Sequence, residues 1–139
     1  MLKSLFIMAF ALVGLVTVPA TAMDSEAQAQ KPMLVTFTAE WCGSCKILEP
    51  KLEQALTNDK INSGLEVVIF DFTNNDTKAA AASLADEKGL TDIFQKHGPK
   101  TGFSLMVGQN MQEQGRFTKE NSVEEIETTL EEFINNHSS

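Results

Sequence analysis

Two cysteines separated by two residues are the feature that most constrains this chain. Cys42 and Cys45, its only cysteines in 139 residues, stand in the sequence Trp41-Cys42-Gly43-Ser44-Cys45-Lys46. An apolar run at 33–38 predicts a buried strand before them, and residues 46–56 predict a helix after them. Such a junction puts the first sulfur at a helix N-terminus, where free N–H groups and the helix dipole favour a thiolate. We therefore predict a dithiol redox site in which Cys42 is the nucleophile and Cys45 resolves the mixed disulfide.

The N-terminal segment has the three parts of a secretory signal peptide. Lys3 is followed by an apolar run at 5–18, and Pro19-Ala20-Thr21-Ala22 then supplies small residues for cleavage. The run is short for a transmembrane helix, although an uncleaved N-terminal anchor is the alternative. We predict a signal peptide at residues 1–22, with cleavage after Ala22; Ala27 and Ala29 are alternative sites.

The remainder of the chain has the size of one small domain. We predict a flexible leader at residues 23–31 and a single domain at residues 32–139. After cleavage we expect a periplasmic or secreted protein with no stable membrane insertion. Both cysteines then lie in an oxidising compartment. A disulfide that closes so short a loop removes little entropy from the unfolded chain, so a reactive pair is a better interpretation than a structural one.

The charge balance excludes some partners. The chain carries 19 acidic and 11 basic residues, for a net charge of −8. An acidic protein repels phosphate backbones and anionic lipid headgroups. We therefore expect neither nucleic acid nor an anionic membrane surface as a partner.

Hydrophobic periodicity predicts the order strand, helix, strand, helix, hairpin, helix. The first two strands alternate with helices and should pair in parallel, and the hairpin should extend the sheet antiparallel. Helices then cover both faces, which predicts an α/β fold in three layers. The predicted strands are 33–38, 65–72, 103–107 and 111–117, and the second of them should be mostly buried. The predicted helices are 42–58, 77–88 and 90–96, with a kink at Pro50 in the first. A last helix should begin at the capping box Ser122-Val123-Glu124-Glu125.

The segment 37–46 resembles the active site of thioredoxins. Pro50, five residues after the second cysteine, also matches the position at which thioredoxins kink this helix. The resemblance extends from Met33 to the C-terminus. It implies a thioredoxin-like α/β/α sandwich with a mixed sheet of about four strands. It also implies a thiol–disulfide oxidoreductase that works through Cys42 and Cys45 without a cofactor or a metal.

Two departures from the family concern proton transfer. Thioredoxins carry a buried aspartate six residues before the first cysteine and pair it with a lysine in the next strand. This chain has Thr36 and Ile69 at those positions. We therefore expect the family's buried proton relay to be absent. Cys45 would lose its proton through water, through Glu40, or only slowly.

A third departure concerns the substrate groove. The family has a cis-proline just before the third core strand, and the matching pair here is Thr101-Gly102, with Pro99 three residues earlier. By resemblance, a substrate backbone would lie along Thr101 and Gly102, beside Trp41, Gly43 and Ser44. Glycine leaves the sulfurs less shielded than proline does. It also removes a feature thought to keep metals off such cysteine pairs.

The Gly43-Ser44 dipeptide favours a reductase. It lacks the histidine found in strongly oxidising relatives, and lower thiol acidity accompanies a more reducing pair. We expect protein disulfides as substrates and a membrane thiol reductant as the electron source. The alternatives are a copper(I)-binding carrier and a disulfide oxidase of the same fold.

The two histidines offer weaker alternatives. A zinc site would need both His97 and His137 to complete the cysteine ligands, and their spacing matches no zinc module. His97 could instead relay a proton, since it precedes the loop expected to face the disulfide. A loop histidine before Gly-Pro is more often incidental.

Overall fold

The computed structural model describes residues 30–138. The predicted signal peptide and nearly all of the predicted leader lie outside the described residues. The elements, in chain order, are β1 (Met33–Thr38), α1 (Cys45–Leu56), α2 (Asp59–Gly64), β2 (Glu66–Asp71), α3 (Asn75–Glu87), α4 (Thr91–His97), β3 (Phe103–Val107), β4 (Glu113–Thr118) and α5 (Val123–His137).

The four strands form one mixed sheet in the order β2-β1-β3-β4. Strand β1 pairs in parallel with β2 and antiparallel with β3, and β3 pairs antiparallel with β4. Helices α1, α2 and α5 pack on one face, and α3 and α4 pack on the other. The predicted three-layer α/β sandwich with about four strands is confirmed.

Alternate residues of β1 divide the core into two halves. Val35 and Phe37 point towards α3 and α4, whereas Leu34 points towards α1 and α5. We call the first half the aromatic core, because Phe37, Phe70, Phe72, Phe94 and Phe103 meet there with ring centroids 4.7–6.1 Å apart.

The opposite half, which we call the aliphatic core, contains a pair of buried hydroxyl groups. Leu48 and Leu52 of α1 pack there against Ile126 and Leu130 of α5. The hydroxyls of Thr36 and Ser104 lie 2.6 Å apart and hydrogen-bond each other between the neighbouring strands β1 and β3. The pairing satisfies both buried groups, which would otherwise each be costly.

The first predicted helix is wrong at its C-terminal end. Helix α1 ends at Leu56 rather than at residue 58, and a separate helix, α2, follows at Asp59–Gly64. The break follows from Asn58, whose side chain accepts a hydrogen bond from the Lys60 N–H and caps α2. Pro50 lies inside α1.

The second strand is less buried than its composition predicts. Val67 and Ile69 are 38% and 54% exposed, because β2 is at the edge of the sheet and its α1 face is left partly uncovered. Strand β4 also begins later than predicted, at Glu113. The connection before it contains Met111 in a left-handed conformation, with φ 59°.

The predicted capping box of the last helix is confirmed. The Ser122 hydroxyl accepts from the Glu125 N–H, and the Glu125 carboxylate accepts from the Ser122 N–H. None of the helices in residues 30–138 has the length and apolar composition that a membrane span requires.

Candidate functional site

Cys42 and Cys45 form a disulfide between the end of β1 and the start of α1. Their Cα atoms are 5.3 Å apart. Both cysteines are buried, with 6% and 2% of their surfaces exposed, and they pack against the aromatic core. Strand β1 and helix α1 therefore hold the pair at a fixed point of the fold.

The N-terminus of α1 points at the first sulfur. The backbone N–H of Cys45, the first residue of α1, donates a hydrogen bond to Cys42 Sγ at 3.2 Å. This N–H is among the groups that have no partner within a helix, and the helix dipole adds positive potential at the same place. The contact favours negative charge on Cys42 Sγ once the disulfide is reduced.

Trp41 lies on the surface beside the disulfide and is fixed at one end. The residue is 61% exposed, and its Nε1–H donates to the backbone carbonyl of Thr73 at 3.2 Å. The Thr73 hydroxyl also accepts from the Glu40 N–H at 2.9 Å. No local sequence pattern singles out Thr73, since only the fold brings the loop after β2 to this place.

Gly102 lies directly against the cysteine pair. A Cβ atom on it would be 2.9 Å from Ser44 Cβ and 3.5 Å from Cys42 Sγ. Its φ is +94°, a conformation that glycine adopts readily, and its N–H donates to the Phe37 carbonyl at 2.9 Å. Close approach and backbone angle therefore both require glycine here.

The remaining predicted substrate-binding residues border the same place. Gly43 is exposed, with open space around the position of a Cβ, and Ser44 faces Gly102. Thr101 is half-buried and directly precedes Gly102. A cis peptide bond precedes Pro99, so the loop does contain a cis-proline, three residues before the position matched by the resemblance.

A cavity of about 500 Å³ opens between α1 and the edge strand β2. Thr36, Thr38 and Glu49 line it, together with the exposed side chains of Val67 and Ile69. The Thr38 hydroxyl donates a hydrogen bond to the Glu49 carboxylate. Glu49 was not singled out in the sequence analysis. Its position four residues after Cys45 was a usable signal, because residues at that spacing share a helix face.

His97 is built into the aromatic core. Its ring packs on Phe37 at 5.7 Å, its Nε2 lies 2.6 Å from the Glu113 carboxylate, and its Nδ1 lies 3.3 Å from an Arg116 nitrogen. These contacts tie α4 to β4 and occupy both ring nitrogens. They also leave no place for His97 in a zinc site with the cysteines.

The contacts of Glu113 change its acidity. Desolvation acts to raise the pKa of this carboxyl group, but hydrogen bonds from Lys96 and His97, reinforced by their positive charge, outweigh it. The pKa of Glu113 is therefore below its ordinary value. His137, the other histidine, contacts the Phe133 carbonyl and Gln114, away from the cysteines. Among residues 30–138, no three His, Cys, Asp or Glu side chains cluster in a way that suits a metal ion.

This chain is similar to known proteins both in sequence and in fold. Over 113 residues the chain is 31% identical to a protein disulfide-isomerase of Medicago sativa, a match that covers 81% of this chain and 20% of that protein. Over 72 residues it is 39% identical to a thioredoxin H-type of Chlamydomonas reinhardtii, covering 52% and 57%. The crystal structure of Trxlp from Edwardsiella tarda EIB202 superposes with a TM-score of 0.50 at 26% identity, over 76% of this chain and 89% of that one.

The matches identify the family of this chain, but they cover only part of the related proteins. The chain spans a fifth of the length of the Medicago protein and just over half of the Chlamydomonas protein. A sequence model of the family described as thioredoxin matches residues 15–97, which is more than half of the chain. With the disulfide at the β1–α1 junction and the mixed four-stranded sheet, these matches show that the chain belongs to the thioredoxin family.

Proposed function

We propose that this protein is an exported thiol–disulfide oxidoreductase that reduces protein disulfides through Cys42 and Cys45. The observation that carries the proposal is the hydrogen bond from the Cys45 N–H to Cys42 Sγ at the start of α1. A thiolate is the nucleophile in disulfide exchange, and this contact stabilises it at one of the two sulfurs. The relatives named as thioredoxin and protein disulfide-isomerase support the same chemistry.

The reaction proceeds in two exchanges. The Cys42 thiolate attacks one sulfur of a substrate disulfide, and the other substrate sulfur leaves as a thiolate that takes a proton from water. Cys45 then loses its proton and attacks Cys42 Sγ, which forms the Cys42–Cys45 disulfide and releases the second substrate thiolate. Two electrons pass from the pair to the substrate. A dithiol donor must return them before the next cycle.

The surface around the sulfurs supports an extended peptide as substrate. The exposed Trp41 ring offers apolar contact area, and Gly43 leaves the approach to Cys42 open. Opposite them, Thr101 and Gly102 would provide backbone groups for the substrate chain. Gly102 has no side chain that would stand between a peptide and Cys42 Sγ.

Sequence features support the direction, location and electron source that we propose. The Gly43-Ser44 dipeptide lacks a histidine, which supports a reducing pair. The signal-like residues 1–22 support a periplasmic or secreted protein. A reductase in an oxidising compartment needs electrons from a membrane thiol reductant.

Cysteine variants test the chemistry with insulin as the disulfide substrate. We expect Cys42→Ser to abolish reduction. We expect Cys45→Ser to accumulate a mixed disulfide with the substrate, detectable by mass spectrometry, because nothing resolves it. Full activity in Cys42→Ser would refute the proposal. Tight stoichiometric copper(I) binding by a protein that exchanges no disulfide would favour the carrier function instead.

The reduction potential tests the direction. Titration of metal-free protein against glutathione buffers should give a value near or below about −220 mV, in the range of glutaredoxins and thioredoxin. A value near about −120 mV would identify an oxidase. The N-terminal sequence of the protein recovered from its native compartment tests export, with Met23 expected as its first residue.

A further inference from the structure

We propose that Glu49 accepts the proton of the Cys45 thiol when Cys45 resolves the mixed disulfide. The inference rests on the proposed function, since it concerns the second of the two exchanges. It assigns a role to a side chain of α1 that makes no contact with the substrate.

The position of Cys45 makes a proton acceptor necessary. A thiol must become a thiolate to attack, and Cys45 is only 2% exposed, so bulk water does not reach it freely. Its Sγ has one polar contact among the described residues, the Phe37 carbonyl at 3.9 Å. A peptide carbonyl accepts a hydrogen bond but does not take up a proton near neutral pH.

The geometry of α1 brings a carboxylate to the same place. Glu49 is four residues after Cys45, so the two side chains are neighbours on one face of the helix. Helical side chains also lean towards the N-terminus, which directs Glu49 towards the turn that carries Cys45. The Thr38 hydroxyl holds the carboxylate, and Thr38 directly follows Phe37, whose carbonyl contacts Cys45 Sγ.

The cavity between α1 and β2 gives the Glu49 carboxylate access to water. Thr36, Thr38 and Glu49 line it and Cys45 does not, and its volume of about 500 Å³ has room for water beside the carboxylate. The hydroxyls of Thr36 and Thr38 lie on the same face of β1 because strand side chains alternate. A proton that Glu49 takes from Cys45 can therefore pass on to water in the cavity.

The other ionisable groups that line the cavity are less suited to the role. Glu40, Lys46 and Glu53 are exposed. Asp71 is half-buried, but it lies at the end of the edge strand and accepts hydrogen bonds from the Thr73 N–H at 2.7 Å and the Thr73 hydroxyl at 2.5 Å. Glu49 alone combines partial burial with a position one turn from Cys45.

The step balances without a further reactant. The proton passes from Cys45 Sγ to the Glu49 carboxylate, directly or through one water, and leaves a thiolate and a carboxylic acid. The thiolate attacks Cys42 Sγ, the bond between Cys42 and the substrate sulfur breaks, and the substrate leaves as a thiolate. Glu49 then returns its proton to that thiolate or to water.

Reaction of the reduced protein with dithiobis(nitrobenzoate) separates the two exchanges. Attack by Cys42 releases one coloured thionitrobenzoate anion, and resolution by Cys45 releases the second, so stopped-flow absorbance gives both rates. In Glu49→Gln, which retains the size of the side chain, we expect the second release to slow about 10²-fold at pH 7 and the first to be unchanged. Glu53→Gln, one turn further along α1, is the matched control and should leave both rates within twofold of the wild type.

The pH profile distinguishes proton transfer from a structural effect. A thiol ionises increasingly without a carboxylate as the pH rises above its ordinary pKa of about 8.5, so the difference between Glu49→Gln and wild type should shrink in alkaline solution. Thr38→Val removes the hydroxyl that holds the Glu49 carboxylate and should slow the second release by a smaller factor. This variant tests the inference if Glu49→Gln does not fold. Wild-type resolution in Glu49→Gln, or an equal slowing at every pH, would overturn the inference. Absence of the first release in the wild-type protein would instead overturn the proposed function.

Discussion

The two faces of the sheet are built from different chemistry. On the α3–α4 side, phenylalanine rings pack around Phe37, and the His97–Glu113 contact closes the edge of this aromatic core. On the α1–α5 side, aliphatic side chains share the space with the Thr36–Ser104 hydroxyl pair, with Glu49 and with an open cavity. The disulfide lies at the end of β1, where both faces meet.

The contrast suggests a division of tasks between the faces. Close-packed rings have few alternative arrangements, so the aromatic core fixes the position of the cysteines. Proton movement requires polar groups and room for water, and the cavity lined by Thr38 and Glu49 provides both on the α1 face. The aromatic core thus holds the cysteines in place, and the other side of the sheet carries the carboxylate to which we assign proton transfer.

Phe37→Ala breaks the aromatic face at its centre and should have the largest effect on stability. The ring stacks on Phe103 at 4.7 Å and meets Phe70 edge-on at 5.3 Å. Its loss leaves a cavity among buried rings, and we expect the free energy of unfolding to fall by about 3–5 kcal/mol. Denaturant titration measures this, with Phe37→Leu as a control that retains part of the volume. A loss below about 1 kcal/mol would contradict a rigid aromatic core.

Gly102→Pro tests the point at which the faces meet. Proline is the residue that the family resemblance places here, yet it fixes φ near −65°, whereas Gly102 has φ +94°. It would also remove the N–H that donates to Phe37. We expect a loss of about 3 kcal/mol or more in thermal or denaturant unfolding.

Gly102→Ala separates the two causes of that loss. The left-handed φ alone should cost about 1–3 kcal/mol. In Gly102→Ala the new Cβ would lie 2.9 Å from Ser44 Cβ. Ser44→Gly removes that contact, so the double variant should recover only the part of the lost stability that is due to crowding. Equal stability of Gly102→Pro and wild type would mean that the loop takes another conformation.

Thr36→Val probes the polar face. It leaves the Ser104 hydroxyl buried without its partner, which should cost about 1–3 kcal/mol. The double variant Thr36→Val/Ser104→Ala removes both groups and should be closer to wild type in stability than either single variant. A double-mutant cycle by urea unfolding measures this coupling, and additive losses would show that the two hydroxyls act independently.

Glu113→Gln tests the edge of the aromatic core and should have the smallest effect on stability. The pKa of Glu113 is lowered in the folded protein, so its carboxylate contributes stability above its ordinary pKa of about 4.5, and the contribution is lost as pH falls through the folded value. Because the Lys96 side chain is mostly exposed, we expect at most about 1 kcal/mol at pH 7.

Unfolding measured from pH 7 down to pH 3 checks this expectation. The difference between Glu113→Gln and wild type should shrink in acid. Glu53→Gln, which removes one exposed carboxylate, is the control for the loss of a negative charge. A stability difference that grows in acid would contradict a lowered pKa of Glu113 in the folded protein.

Local patterns predicted the elements that depend on neighbours in the chain. Strand β1 has the predicted bounds, and the capping box at Ser122 begins α5, since periodicity and capping act over a few residues. The predictions failed where an outcome depended on distant partners. Val67 and Ile69 have the composition of a buried strand, but no neighbouring strand lies beyond β2 in the described sheet and its α1 face is only partly covered.

The sequence by itself determined the fold class and the cysteine pair, because a C-x-x-C between a strand and a helix limits both the chemistry and the local geometry. Tertiary structure decided what surrounds the pair. Gly102 against Cys42, Thr73 under Trp41 and Glu49 beside Thr38 join residues that lie 11 to 60 positions apart in the chain. Contacts at such separations depend on how helices and loops pack on the sheet, and no local pattern encodes that packing.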